Sequence, residues 1–492
     1  MSAQPVAARR GPGFAVLAVT QFILILDAAI VTIAMPSIQR GLHFSPENLS
    51  WVVSAYTLIF GGFLLLGGRV ADHVGHRAMF AWGLLIFVLG SASCGLAQNS
   101  AWLIVSRGVQ GFGAAVVAPA ALALVMRLYT EPQERFKALG IWGALAGLGS
   151  VSGTVLGGAL TDWISWRAIF WINVPIGAVC LALTPGLLPG GRVGDRNANF
   201  DVVGAIASTL GLGLVVYGLV TAPDKGWGST STVATLVAGV LLLIAFVVVE
   251  NRVSAPLVPP SLFRLRPLTG GNVGMGLMTM ALVPGMVFLT LYMQQVHHWS
   301  PIRSAVAQLP ICIAIIIGTQ LAPPVVGRGG PRAAVGIGSV IAAAGMAWFG
   351  GISADGGFWA QILGPSLLAG IGMGMVFVAA TIAATSMAPP HLAGVASGVL
   401  NTSQQVGATL GIAILTPVVT ELIKSSAKDG HPLPEALTSG YSGALVAGAC
   451  IAVLVLLLSA TVIPGRPPQG APGPDGAPAP AEAAPEAGAP ST

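Results

Sequence analysis

Thr232-Val-Ala-Thr-Leu-Val-Ala-Gly-Val-Leu-Leu-Leu-Ile-Ala-Phe-Val-Val-Val249 runs without a single charged residue. A helix of about 20 such residues crosses the hydrocarbon core of a bilayer. Stretches of this kind recur along the 492 residues, of which 54% are hydrophobic and 8% charged, against about 25% charged in soluble chains. In hydrocarbon every backbone N–H and C=O needs an internal partner, which leaves helices and closed barrels. Barrel strands alternate polar and apolar at period two. These runs are continuous, so the fold class is all-α integral membrane.

Working outward from that run, the apolar segments predict helices near 14–35, 51–70, 78–97, 101–126, 138–160, 167–187, 202–221 and 232–250. Six more follow near 270–293, 304–324, 333–353, 358–386, 393–418 and 441–462, which makes 14. An even number puts both termini on one side. Fifteen of the 22 basic residues then fall on that side, among them Arg9, Arg10, Arg69, Arg77, Arg127, Arg135, Lys137, Arg192, Arg196, Arg328 and Arg332. Positive charge is retained in the cytoplasm, so both ends are expected there. Trp51, Trp102, Trp163, Trp166, Trp227, Trp299 and Trp359 fall at the opposite, outer helix ends, as an interfacial aromatic belt does. No cleavable signal is expected, because a full-length span follows Arg9 and Arg10 directly. The excess of positive charge is accounted for by topology, and no nucleic-acid partner is implied. Cys94, Cys180, Cys312 and Cys450 lie in apolar runs and read as small buried hydrophobes, not as disulfides or metal ligands.

The chain also repeats. Gly68-Arg-Val-Ala-Asp72-His-Val-Gly75-His-Arg77 follows the second predicted span, and Pro323-Pro-Val-Val-Gly327-Arg-Gly-Gly330-Pro-Arg332 follows the tenth. Gly75 matches Gly330 and Arg77 matches Arg332 at an offset of 255 residues. Spans 1–6 therefore correspond to spans 9–14, with two inserted between them: a 6+2+6 arrangement. The expected divisions are a cytoplasmic N-terminus (1–13), a six-helix bundle (14–187) and two inserted helices with connectors (188–269). A second six-helix bundle (270–462) and a disordered Pro/Ala-rich cytoplasmic tail (463–492) complete the chain.

Two charges stand apart from this pattern. Leu26-Asp27-Ala-Ala-Ile-Val-Thr32-Ile-Ala-Met-Pro36 places a carboxylate inside the first span, and Leu103-Ile-Val-Ser-Arg107-Gly-Val-Gln110-Gly111-Phe-Gly113 places a guanidinium inside the fourth. They are about seven and six residues from the outer ends of their spans, so at ~1.5 Å per residue both lie roughly 10 Å deep. Intramembrane charges are costly and pair with one another or line a water-filled path. Apolar surroundings favour a neutral carboxyl and a neighbouring guanidinium favours the carboxylate. A change of access that alters this balance would load a proton on one side and release it on the other.

These motifs, in this order over roughly residues 14–462, resemble those of the 14-span drug/proton antiporter branch of the major facilitator superfamily. The Gly68–Arg77 segment fits the signature G-x-x-x-D-x-x-G-x-R/K, and the resemblance implies an inner-gate role for Gly68, Asp72, Gly75 and Arg77. The branch pattern G-x8-G-x3-G-P-x2-G-G is met at Gly140, Gly149, Gly153, Gly157 and Gly158, with Thr154 at the proline position. It implies an exporter. Trp166-Arg-Ala-Ile-Phe170-Trp-Ile-Asn173-Val-Pro175 is a further family-like piece, whereas Ala29 and Thr32 stand where the family has Thr and Asn. Hydrogen bonding around Asp27 must therefore differ from the family's.

The function expected from the resemblance is proton-coupled export of a bulky hydrophobic small molecule by alternating access. Asp27 and Arg107 carry the coupling, protons are the coupling ion, and no cofactor takes part. Membrane lipid is the surroundings, and a monomer suffices. Gln110, Met275, Met278 and Asn401 are candidates for the substrate cavity, methionine being adaptable toward apolar ligands; packing is the competing reading for the methionines. The rival classes are an uptake symporter of the same fold and a non-transporting membrane sensor. No HExxH, no intramembrane Ser/His pair and no nucleotide-binding glycine loop followed by lysine occurs, which argues against an enzyme or an ATP-driven pump.

Overall fold

A computed structural model describes residues 10–129, 131–190, 202–253, 256, 260–386 and 393–463. The N-terminal segment through 9, the connector 191–201 with Arg192 and Arg196, and the tail from 464 lie outside the described residues, as do the side chains of Asp72, Arg135 and Lys137 and the surroundings of Gly140. The described elements are helical. The first bundle contains α1 (Arg10–Leu42), the short α2 (Pro46–Leu49), α3 (Trp51–Val74), α4 (His76–Leu96), α5 (Ser100–Leu128), α6 (Pro132–Trp163), α7 (Ala168–Trp171) and α8 (Asn173–Leu187). Then come α9 (Val202–Lys225) and α10 (Thr230–Glu250). The second bundle contains α11 (Arg266–Leu291), a π-helical turn (Tyr292–Val296), α12 (Pro301–Phe349), a second π-helical turn (Trp359–Leu363), α13 (Gly364–Ser386), α14 (Ala393–Lys428) and α15 (Leu433–Val462). Ten helices among the described residues are long and apolar enough to cross a membrane.

Several helices overrun the apolar segments that announced them, because caps and glycines end a helix where hydropathy does not. α1 continues through Arg40 to Leu42, and α14 through Lys424 to Lys428, so these basic residues lie in helix and not in connectors. Three of the helices that begin at the tryptophan-rich end start from side-chain caps. Asn99 accepts from Trp102 N–H at 2.9 Å, Ser229 from Thr232 N–H at 3.2 Å and Ser300 from Arg303 N–H at 3.4 Å, each meeting a donor the first turn leaves free.

The predicted inner-gate loop is not a loop. α3 runs through Gly68 and Asp72 to Val74, α4 starts at His76, and Gly75 alone separates them with φ 114° and ψ 127°. A side chain is strongly disfavoured at such an angle. Its counterpart Gly330, φ 74°, breaks an otherwise continuous Pro301–Phe349 run, where two separate spans were predicted. Cys94, Cys180 and Cys312 are buried as expected; Cys450 is exposed on α15.

Within the first bundle α1 packs on α6 and α8, and α5 on α3 and α4; within the second, α12 packs on α13 and α15, and α11 on α14. The bundles meet along two seams, α6 with α12 and α3 with α14. In the α3/α14 seam the Thr57 and Thr409 hydroxyls are 2.7 Å apart. α9 lies along that seam, its Leu212 and Val216 packed with Leu58 of α3 and Ala413 of α14. α10 packs on α9, at the periphery. The largest apolar core spans both bundles toward the tryptophan-rich end, joining Ile30, Ala34, Ile38 and Phe44 to Val287, Phe288 and Tyr292. Toward the arginine-rich end the cores separate: Val16, Leu17, Phe80, Leu124 and Leu128 form one, Met275, Ala380, Ala384 and Leu400 another. The bundles thus close on each other at the tryptophan-rich end.

Candidate functional site

Asp27 sits midway along α1, and Arg107 lies two turns into α5. Arg107 Nη1 donates to Asp27 Oδ2 at 2.7 Å, with the two side chains 1% and 0% exposed. One turn on from Arg107, on the same face of α5, Gln110 takes part in both directions. Its Oε1 accepts from Arg107 Nη1 at 2.7 Å and its Nε2 donates to Asp27 Oδ1 at 2.8 Å. Asn173, opening α8, donates from Nδ2 to the same Oδ1 at 2.7 Å and to Ser91 Oγ at 3.1 Å. Arg107 Nε donates to the Val52 carbonyl of α3 at 3.0 Å, and the guanidinium carbon lies 4.3 Å from the centre of the buried Tyr56 ring. The carboxylate therefore accepts three bonds, and the cluster ties α1, α3, α5 and α8 together.

Glycines make the approach possible. A Cβ on Gly111 would lie 2.5 Å from the Tyr56 carbonyl oxygen, and one on Gly113 would lie 2.8 Å from that of Gly83. α5 could not otherwise settle against α3 and α4. The α6 ladder does the same against α1: Gly149 faces Ile25, Gly153 faces Leu26 and Ala29, and Gly157 faces Ile30. Of the described ladder glycines, Gly158 crosses to the other bundle and meets Pro301, Ile302 and Ala305 of α12. The ladder thus braces the helix that carries Asp27 and also seals one seam. At the other end of the first bundle, Arg77 Nη1 donates to the carbonyls of Pro185 and Leu188 at 3.4 Å, and Arg127 Nη2 to that of Gly190 at 3.4 Å. Both cations sit at the C-terminus of α8, where unpaired carbonyls and the helix dipole favour positive charge.

Of the other sequence candidates, Gln110 joins this cluster and the rest lie apart from it. Met275 is buried among Ala380, Ala384 and Leu400, and Met278 in the large shared core; both pack the second bundle. Asn401 is exposed on α14. Gln110 is fully buried inside the charge cluster. Sequence reasoning gave no role to Asn173, Tyr56 or Ser91. For Asn173 a signal existed, a lone amide in the apolar run Phe170–Pro175. Partners from α5 and α8 occupy Asp27, where the first span lacks the family's own Thr and Asn.

Two helical bundles joined along paired seams, with an ion pair sealed inside one of them, are the build of a membrane transporter. The model of the Major Facilitator Superfamily matches residues 17–412, and the chain belongs to that superfamily. It is similar to the puromycin resistance protein pur8 of Streptomyces alboniger, 39% identical over 473 residues and 94% of each chain. It is also similar to the cephamycin export protein CmcT of Amycolatopsis lactamdurans, 38% identical over 91% of this chain and 92% of that one. The tetracenomycin C resistance and export protein of Streptomyces glaucescens is 36% identical over 84% of this chain and 77% of that one. Among solved structures the POT family transporter PepTSo superposes with a TM-score of 0.67 at 17% identity, over 92% of this chain and 98% of that one. A bacterial homologue of the lysosomal transporter Spinster, inward-facing and unoccupied, gives 0.65 at 16%, over 94% and 98%. At such identities the likeness is one of fold. The chain is a multi-pass membrane transporter homologous to antibiotic exporters, and not an enzyme.

Proposed function

We propose that this protein is a proton-coupled antiporter of the bacterial cytoplasmic membrane that exports a bulky hydrophobic small molecule by alternating access. The reading takes 14 spans in a 6+2+6 arrangement with both termini cytoplasmic, supported by the excess of arginine at one end and of tryptophan at the other. The closed tryptophan-rich end then makes the described conformation inward-facing. The puromycin resistance protein and the cephamycin and tetracenomycin C export proteins named above support an antibiotic or secondary metabolite as substrate. No cofactor beyond the proton is invoked, and one chain suffices.

The observation that carries the reading is the Asp27 carboxylate, fully buried and held by Arg107, Gln110 and Asn173. In this reading the described conformation is the one in which the proton has already left for the inside. Rearrangement toward the outward-facing state loosens those bonds, and the carboxyl takes up a proton. Substrate leaves as the proton enters. A charge crossing the membrane is worth about 2.3 kcal/mol per 100 mV. A driving force of about 150 mV thus sustains a gradient on the order of 300-fold per proton.

Among the described residues all of Asp27's hydrogen-bond partners belong to one bundle, which favours a second reading: a static staple that takes no part in coupling. Drug susceptibility in an efflux-deficient bacterial host separates the two. Asp27→Asn is expected to insert normally and to lose protonophore-sensitive efflux. Full efflux by that variant would leave only the staple.

A further inference from the structure

The closed end holds a polar seam that the charge cluster does not reach. Where Gly158 brings α6 onto α12, the buried polar side chains that follow on α12 are Ser304 and, one turn on, Gln308. Across from them on α11 and its π-helical turn stand Thr290 and Gln294, 0% and 9% exposed. Gln308 Nε2 donates to Thr290 Oγ1 at 2.7 Å, and Gln294 Nε2 crosses between the bundles to the Ile33 carbonyl of α1 at 3.0 Å. Beside it Gln295 Nε2 donates to Gln39 Oε1 at 3.0 Å, while Tyr441 holds Gln295 Oε1 at 2.6 Å. The π-helical turn inserts an extra residue into the helix and so turns both glutamines toward α1.

The seam is incompletely paired. Ser304 Oγ, Gln308 Oε1 and Gln294 Oε1 are buried without a hydrogen-bond partner among the described residues. Buried polar atoms are almost always paired, and each exception is costly. Gln294 bonds across to α1, and Ser304 and Gln308 flank the turn of α12 that meets Gly158, so in the alternating-access reading the cost of the three falls where this end closes. An apolar seam of the same shape would close more tightly and release less often.

We propose that Ser304, Gln308 and Gln294 are gating residues, whose unpaired acceptors oppose closure of the tryptophan-rich mouth and set how often it reopens. This rests on the alternating-access reading but needs neither the coupling ion nor the substrate. Gln294 acts in both directions, since its amide bond to Ile33 holds the mouth shut while its oxygen works against it. Ser304 and Gln308 act in one direction.

Paired spin labels test it. Asp162→Cys at the end of α6 and Gly357→Cys beyond α12 are exposed positions on the two bundles at this mouth, placed in a Cys450→Ser background in the full-length chain. Pulsed electron–electron distance measurements then read the closed and open populations. Ser304→Ala and Gln308→Leu are each expected to raise the closed-to-open ratio at least threefold and to slow turnover, with thermal stability unchanged or higher. Should Gln308→Leu fail to fold, Ser304→Ala decides. Two populations in the parent with no shift in the variants, or a shift toward open, would overturn the gate and leave alternating access standing. A single unchanging distance in parent and variants would overturn alternating access itself. A purely structural role predicts a lower melting temperature at an unchanged ratio, which also overturns the gate.

Discussion

Asp27 and Arg107, 80 positions apart in the chain, meet at 2.7 Å with 1% or less of either side chain exposed. At that depth each charge offsets the cost of burying the other. Removing one partner of a buried pair costs about 3–5 kcal/mol because the survivor stays uncompensated. Arg107→Ala is therefore expected to lower the melting temperature sharply, and Asp27→Ala/Arg107→Ala together by less than the sum of the single changes. Differential scanning fluorimetry on detergent-purified protein measures both; additive losses would show the two residues to be independent.

Arg107→Lys keeps the charge and loses the fork. Nε reaches Val52 and Nη1 reaches both Asp27 and Gln110, and one ammonium cannot span those positions. Transport is expected to fall at least tenfold although the net charge is unchanged, as read by accumulation of a fluorescent substrate in whole cells. Near-normal efflux would reduce Arg107 to a point charge.

Asn173→Ala removes one donor from the carboxylate and one from Ser91. Bonds to charged groups contribute about 1.5–3 kcal/mol each, so a loss of stability in that range and a several-fold loss of transport are expected. Unfolding and efflux measured on the same preparation check this. An unaffected variant would show the α8 contact to be incidental.

Gly153→Ala sets a methyl group about 2.8 Å from the Leu26 carbonyl oxygen and 2.9 Å from Ala29 Cβ. The backbones of α6 and α1 cannot both stay in place. Overpacking costs about 1–3 kcal/mol, and the displacement falls on the turn that carries Asp27. Efflux is expected to drop more than stability does, in contrast to Gly11→Ala, which meets nothing within 4 Å.

His297, just beyond the α11 span, has its Nε2 2.9 Å from the Tyr292 hydroxyl. Burial and then the Arg303 cation push its imidazole below the ordinary histidine value of 6.5, with His298 adding to this and Asp355 opposing it. The folded protein thus binds this proton less readily than the unfolded chain does. The penalty begins as pH drops below about 6.5 and is complete below the lowered folded value. Melting temperature is expected to fall between pH 7.5 and 5.5, and His297→Phe, which keeps a ring beside Trp299, to flatten the dependence. An equal slope in both proteins would exonerate the histidine.

Much of this was legible in the chain. Uncharged runs leave the backbone no alternative to helix, and the rarity of charge within them singled out Asp27 and Arg107. Equal depth, reckoned from residue counts, brought the two together. Helix ends were less readable, since α1 and α14 stop well beyond their apolar segments and the Gly68–Arg77 segment turns on Gly75 alone. Gln110 was expected at a substrate cavity; the structure shows it bonded to both Arg107 and Asp27, and its spacing of three from Arg107 already put the two on one face. Asn173 and Tyr56 become partners only through the rotation of α8 and α3 about their axes, which packing decides and hydropathy does not.

The placement of α9 and α10 makes the molecule lopsided in the plane of the bilayer. One line of contact between the bundles, α3 with α14, has a helical screen in front of it, whereas the other, α6 with α12, is backed by α1 on its inner side. In the alternating-access reading the screened flank keeps its cover as the bundles part, whereas no described helix screens the other. A lipid-dissolved solute therefore meets two unlike sides of this protein, and any sideways entrance belongs to the uncovered one.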